Sequence, residues 1–245
     1  MIKVVEGIVL NTLDYGETSK ILNVITKDYG LIGMIAKGSK QLKSETRALC
    51  DKLVYANFNI HYKEGKLSLL TSGDIIDNFK NIKKDIIKIS YASYLLELAG
   101  QVIKQNDNED IYNILIAALK KIDEGYDAMT IMNIVELKYL DYLGVMPVID
   151  SCSKCSSKEY ITTICSKAGG YICGRCLSGE KIVSDKTIKV IRMFYYVDID
   201  KISKLEVSRE VVKEINKFLD EYYDSYTGLY LNSKQFIDNL EKLND

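Results

Sequence analysis

The sequence predicts an α+β chain of more than one domain: a small β-barrel over residues 1–80, then an α-helical domain over 81–245 that carries an inserted four-cysteine zinc knuckle at 148–181. Three observations predict it. Apolar residues recur with a period near two up to about residue 80 and near 3.6 beyond it, the change from strand to helix spacing. Four of the six cysteines form two close pairs between residues 152 and 176. Pro147, the one proline, and the glycines Gly169, Gly170 and Gly174 mark irregular backbone around those pairs.

In the first part, candidate strands lie at 6–13, 20–26, 31–36, 56–62 and 66–72. Lys27-Asp28-Tyr29-Gly30 separates the second from the third, and Lys63-Glu64-Gly65-Lys66 closes a hairpin between the last two. The fourth strand alternates, with Phe58, Ile60 and Tyr62 on one face and Asn57, Asn59 and His61 on the other, as a strand with one wet side requires.

Ile86, Ile89, Ala92, Leu95, Leu96 and Ala99 form the stripe of a first long helix. Asn108 caps a second at 109–123, which stops at Gly125, and a third runs over 128–143 to Gly144. Further helices are expected at 185–196, 208–223 and 233–243, with Ser208 and Ser233 as N-caps.

Cys152-Ser-Lys-Cys155 and Cys173-Gly-Arg-Cys176 have the spacing of a four-cysteine zinc site. Four thiolates fill a tetrahedral shell and leave no position for water or substrate, so one Zn2+ held there is structural. The alternative is four buried or oxidised cysteines without metal. Cys165 lies between the pairs, and the sequence leaves it as a free thiol or a substitute ligand.

Composition narrows the function. Hydrophobic residues make up 47% of the 245, ample for real cores, and 33 basic against 34 acidic side chains create no global field towards nucleic acid or membrane. Affinity for a polyanion must therefore be local. No run of about 18 uninterrupted apolar residues exists, and Glu6 interrupts the start before a signal-like stretch develops, so no membrane association and a cytoplasmic location are expected. Lone His61, the absence of a phosphate-binding Gly-x4-Gly-Lys-Ser/Thr motif and the lack of any partnered nucleophile predict a protein that is not an enzyme. Asp198 and Asp200 read as solvated loop acids.

Local affinity has one candidate. Lys37, Lys40, Lys43 and Arg47 place four cations directly after the third strand, where Gly38 and Ser39 let backbone approach a phosphate. Read by charge alone, such a loop is also an ordinary solvated connection. Tyr15, Tyr29, Tyr55, Phe58 and Tyr62 offer rings for base stacking, although alternation assigns Phe58 and Tyr62 to the core.

Several segments, in order and spacing, resemble the RecO family of bacterial DNA repair proteins: Glu6-Gly-Ile-Val-Leu, Tyr15-Gly-Glu-Thr-Ser-Lys-Ile-Leu, Thr26-Lys-Asp-Tyr-Gly-Leu, Ala36-Lys-Gly-Ser-Lys, Tyr142-Leu-Gly-Val-Met-Pro and Ala168-Gly-Gly-Tyr-Ile-Cys173. The resemblance implies that the barrel is an OB-fold. It implies a recombination mediator that binds single- and double-stranded DNA, anneals complementary strands and, with RecR, helps load RecA onto strands coated by single-stranded DNA-binding protein. It makes Lys37, Lys40, Lys43 and Arg47 phosphate contacts, though the family's basic stretch is often richer in arginine. The contrasting expectation is a zinc-ribbon protein-interaction or transcription-associated module whose barrel does not touch DNA.

Overall fold

The computed structural model describes residues 1–244, which form two compact units divided between Ile116 and Ala117.

The first unit opens with five strands, β1 (Ile2–Tyr15), β2 (Ser19–Thr26), β3 (Gly30–Ala36), β4 (Tyr55–His61) and β5 (Ser68–Asp77). They close into a barrel in the order β1-β2-β3-β5-β4, with β3 and β5 parallel and every other pair antiparallel. One long strand makes this closure possible. The first half of β1 pairs with β4, from Ile2 opposite His61 to Ile8 opposite Tyr55, while Gly7 to Tyr15 pair with β2. A bulge between Val9 and Asn11 falls where the strand changes partner, and such an extra residue bends a strand and increases its twist. Gly7 lies at the crossover, where an added Cβ would stand 2.8 Å from the carbonyl oxygen of Ile25.

Alternation fills the interior as the sequence expects. Phe58 and Ile60 are fully buried beside Val5, Val9, Leu22, Val24, Met34 and Leu70, with Tyr62 packed on the same cluster and His61 exposed. Tyr29 and Tyr62 lie 5.0 Å apart and share the Lys3 ammonium, 4.3 and 4.4 Å from the two ring centres. Tyr55 is buried and hydrogen-bonds Glu6 at 2.6 Å, so of the five aromatic side chains only Tyr15 stands mainly exposed.

A short turn of helix, α1 (Lys80–Lys83), leads into α2 (Ile86–Gln105). Asp85 caps α2 by accepting from the backbone of Ile87 and Lys88, a cap the sequence reading passed over. The stripe expected on α2 is broader than drawn: Tyr91, Tyr94, Leu98, Val102 and Ile103 are buried too, whereas Ile86 is exposed. Helix α2 is long and apolar enough to span a bilayer, yet 61% of that stretch is buried within the chain, as befits a core helix. Gly100 on α2 receives Leu10 of β1, whose Cδ2 would come within 2.9 Å of an added Cβ. Helix α3 (Glu109–Glu124) follows, with Asn108 accepting from the backbone of Asp110 as predicted.

The second unit contains α4 (Ala128–Tyr142), a hairpin of β6 (Ile161–Cys165) and β7 (Gly170–Cys173), α5 (Asp185–Tyr196), α6 (Arg209–Tyr226) and α7 (Asn232–Asn244). Helix α4 is buried on all sides from Thr130 to Leu137, and Tyr223 of α6 donates to the carbonyl of Glu136. Two expected caps differ. Ser208 stands at the N-cap of α6 without accepting a backbone hydrogen bond and instead hydrogen-bonds the Glu210 carboxylate, which holds that carboxyl low together with a backbone N–H. Ser233 lies inside the first turn of α7, because the helix starts one residue earlier.

Candidate nucleic-acid interface and metal centre

The four paired cysteines converge. Sγ atoms of Cys152, Cys155, Cys173 and Cys176 all lie within 4.8 Å of one another, and those of Cys155 and Cys173 are 3.7 Å apart. A tetrahedral ion with metal–sulfur bonds of about 2.3 Å separates its ligands by about 3.8 Å, so the set can hold a metal ion. All four are free thiols, as are Cys50 and Cys165.

Local backbone explains the convergence. The first knuckle turns on hydrogen bonds from Cys152 N–H to Ser157 and from Ser156 N–H to Cys152, with Ser156 at positive φ. The second turns on Cys176 N–H to Cys173, and Gly174 N–H reaches the carbonyl of Tyr160. Between them runs the β6–β7 hairpin, unforeseen in the sequence because its strands are five and four residues long and interrupted by threonine and cysteine. Gly170 docks the hairpin on Val148: its φ is +147°, and an added Cβ would fall 2.2 Å from the Val148 carbonyl oxygen, so only glycine fits.

Within the cluster the thiols act on one another in opposite directions: hydrogen bonding from Cys155, then burial, pushes the Cys176 thiol up to about 12. Burial opposes ionisation of the Cys152 thiol, but N–H donors from Cys173, Lys154 and Cys155 outweigh it and bring it down to about 6. Four thiolates around a dication carry a net charge of −2, and each knuckle supplies one compensating cation. Lys154 donates to the Cys176 carbonyl, to Ser178 and, at 2.7 Å, to Glu180, so it also ties the first knuckle to the segment after the second. Arg175 donates to Ser157 Oγ in the opposite direction. Cys165 packs against the cluster without joining the four-sulfur set.

On the barrel, the loop that follows β3 is fixed rather than loose. Gly38 N–H donates to Ser19 Oγ, Lys40 N–H to the Thr18 carbonyl, and Ser39 Oγ to the Ala36 carbonyl, which fastens the loop to the β1–β2 turn. A short 3-10 turn, Arg47–Cys50, then buries Leu49 and Cys50 in the barrel. The loop and β2 enclose a cleft of about 630 Å3 lined by Lys20, Ser39, Lys40, Ser44, Arg47 and Asp51. Of the four predicted cations, Lys40 and Arg47 face this cleft, while Lys37 and Lys43 are exposed on the same loop outside it. Lys20 was missed. Its signal was present in the pairing of β1 with β2, which sets it opposite Asp14 and beside the loop's anchor, Ser19.

A closed five-stranded barrel of this strand order is OB-like, and a helical region with a four-sulfur cluster set around a short β-hairpin follows it in the chain. A family model described as recombination protein O N terminal matches residues 1–79, and one described as recombination protein O C terminal matches residues 83–235. Relatives named DNA repair protein RecO include those of Bacillus pumilus, 35% identical over 242 residues, and Bacillus subtilis, 32% identical over 242 residues, each alignment spanning 97% of this chain and 94% of the relative. That of Listeria innocua is 32% identical over 241 residues, with the same coverage. The chain belongs to the RecO family.

Proposed function

We propose that the chain is a recombination mediator that binds single- and double-stranded DNA, anneals complementary strands and, with RecR, helps load RecA onto strands coated by single-stranded DNA-binding protein. The observation that carries this reading is the basic loop after β3, fastened to the barrel so that Lys40 and Arg47 line one cleft with Lys20, while Lys37 and Lys43 extend from the same loop. Annealing needs no bond-making group, because base pairing drives it. The protein only has to bring two polyanions together on a cationic surface.

On this reading residues 1–80 are the DNA-binding domain and residues 81–245 the helical domain with its knuckle insertion. Cys152, Cys155, Cys173 and Cys176 hold one Zn2+, which when bound closes a tetrahedral shell and supplies structural cross-linking without catalysis. The chain acts in the cytoplasm at the nucleoid, as a non-enzymatic protein.

The test is annealing of complementary oligonucleotides, bare and coated with the cognate single-stranded DNA-binding protein, over a salt series. The variant with Lys37, Lys40, Lys43 and Arg47 changed to alanine is run alongside. Acceleration that fades with salt, and fades roughly tenfold or more in the variant, is the expected outcome. A folded, zinc-loaded protein that accelerates neither reaction overturns the mediator reading in favour of a protein-interaction module.

A further inference from the structure

We propose that Asp14 is a built-in counter-ion of the basic cleft, occupying the place of a DNA phosphate until a strand displaces it. This deepens the DNA-binding reading above and rests on it. Asp14 stands directly across the β1–β2 pair from Lys20, and its Oδ2 receives the Lys40 ammonium at 2.9 Å. It therefore lies between two of the three cations associated with the cleft, and both lysines, Lys40 first, hold its carboxyl below the usual carboxylate range.

The arrangement is set by backbone rather than by the chance meeting of two long side chains. Lys40 N–H is bonded to the Thr18 carbonyl at 2.9 Å, and Asp14 and Lys20 are neighbours in the ladder of the same hairpin, so the loop delivers Lys40 to this spot. Lys20 and Arg47 form no salt bridge among the described residues. Asp51 also lines the cleft, but from the opposite end of the loop, and its charge also acts on Lys83. Among the described residues, Asp14 is the acid that forms a salt bridge with a cleft cation.

A carboxylate oxygen and a phosphodiester oxygen ask the same thing of an ammonium group, so one can replace the other without moving the loop. The exchange is cheap because Asp14 is exposed and such pairs are weak, holding back a competing ligand by a factor of about two to five. A single small anion gains little beyond what Asp14 already provides. A strand whose neighbouring phosphates also meet Lys20, Arg47 and the outer lysines gains several contacts at once, so the built-in acid discriminates in favour of a polyanion.

The experiment is fluorescence-anisotropy titration of a labelled single-stranded oligonucleotide with the full chain across a salt series. It compares the unaltered protein with Asp14→Asn, Lys40→Ala, the Asp14→Asn/Lys40→Ala double variant and Asp51→Asn, with thermal melts to verify folding. Asp14→Asn is expected to tighten binding about threefold and to steepen the dependence of log K on log salt by up to about one. The gain should shrink in the Lys40→Ala background and be smaller in Asp51→Asn. Equal or weaker binding by folded Asp14→Asn, or an undiminished gain without Lys40, overturns the counter-ion role while leaving DNA binding intact. Failure of every protein to bind the oligonucleotide overturns the DNA reading and this inference with it.

Discussion

The barrel and the cysteine knuckle hold their shapes by different means. The barrel's core cluster comprises thirteen buried side chains, among them Phe58, Met34 and Leu22, drawn from all five strands and the Arg47–Cys50 turn. The knuckle's comprises three, and two of those are Cys152 and Cys173. A fold stabilised by apolar burial survives the loss of any one polar contact, whereas a segment with so little to bury depends on cross-links. The contrast teaches that around the sulfurs, where Ile172 is the one other member of the buried cluster, the thiols take over much of the work that apolar packing does in the barrel.

The largest expected effect lies in the knuckle. Cys173→Ser, or treatment with a strong chelator, should take the metal content from about one ion per chain to none. Amide hydrogen exchange should then accelerate over residues 152–176 and stay slow over β1 to β5. Exchange that accelerates equally in both places would show that the two regions are not independently stabilised. Second in size is Phe58→Ala, which removes a fully buried ring from the barrel core and should cost about 3–5 kcal/mol in denaturant unfolding. Metal content should be untouched by it. Smaller again, Gly170→Ala forces a Cβ against the Val148 carbonyl and should cost about 1–3 kcal/mol, read as weakened metal retention in competition with a chromogenic chelator. Retention equal to that of the unaltered chain would mean that the docking of the hairpin on Val148 does not support the cluster.

Much of both regions was legible in the residues. The period-two pattern of 56–62 placed Phe58 and Ile60 inside and His61 outside, and the two Cys-x2-Cys pairs announced a four-sulfur cluster because each pair is local in sequence. What escaped was non-local or short. The cleft is assembled from Lys20, Lys40 and Arg47, with Asp14 held on Lys40 beside it, and only the barrel pairing brings these residues together. Lys154 reads as a filler between two cysteines, and its bonds to Cys176 and Glu180 depend on where the second knuckle comes to rest. The first strand was expected to begin at residue 6, yet it begins at Ile2. Ile2 and Val4 face outward there although both are apolar, so burial alternates along the residues that pair with β4 while the sequence shows no alternation of polar and apolar side chains.

The dual pairing of β1 also fixes the order in which the barrel can be made. Its partner β2 lies a three-residue turn away, so the β1–β2–β3 meander can form from local contacts as soon as about 36 residues are available. The other edge of β1 waits for β4, and the parallel seam between β3 and β5 waits for a strand that starts at Ser68. Until then Val5, Val9 and Met34 lie on an open sheet with two unpaired edges. A chain emerging from the ribosome therefore passes through a sticky interval roughly 30 residues long, set by topology.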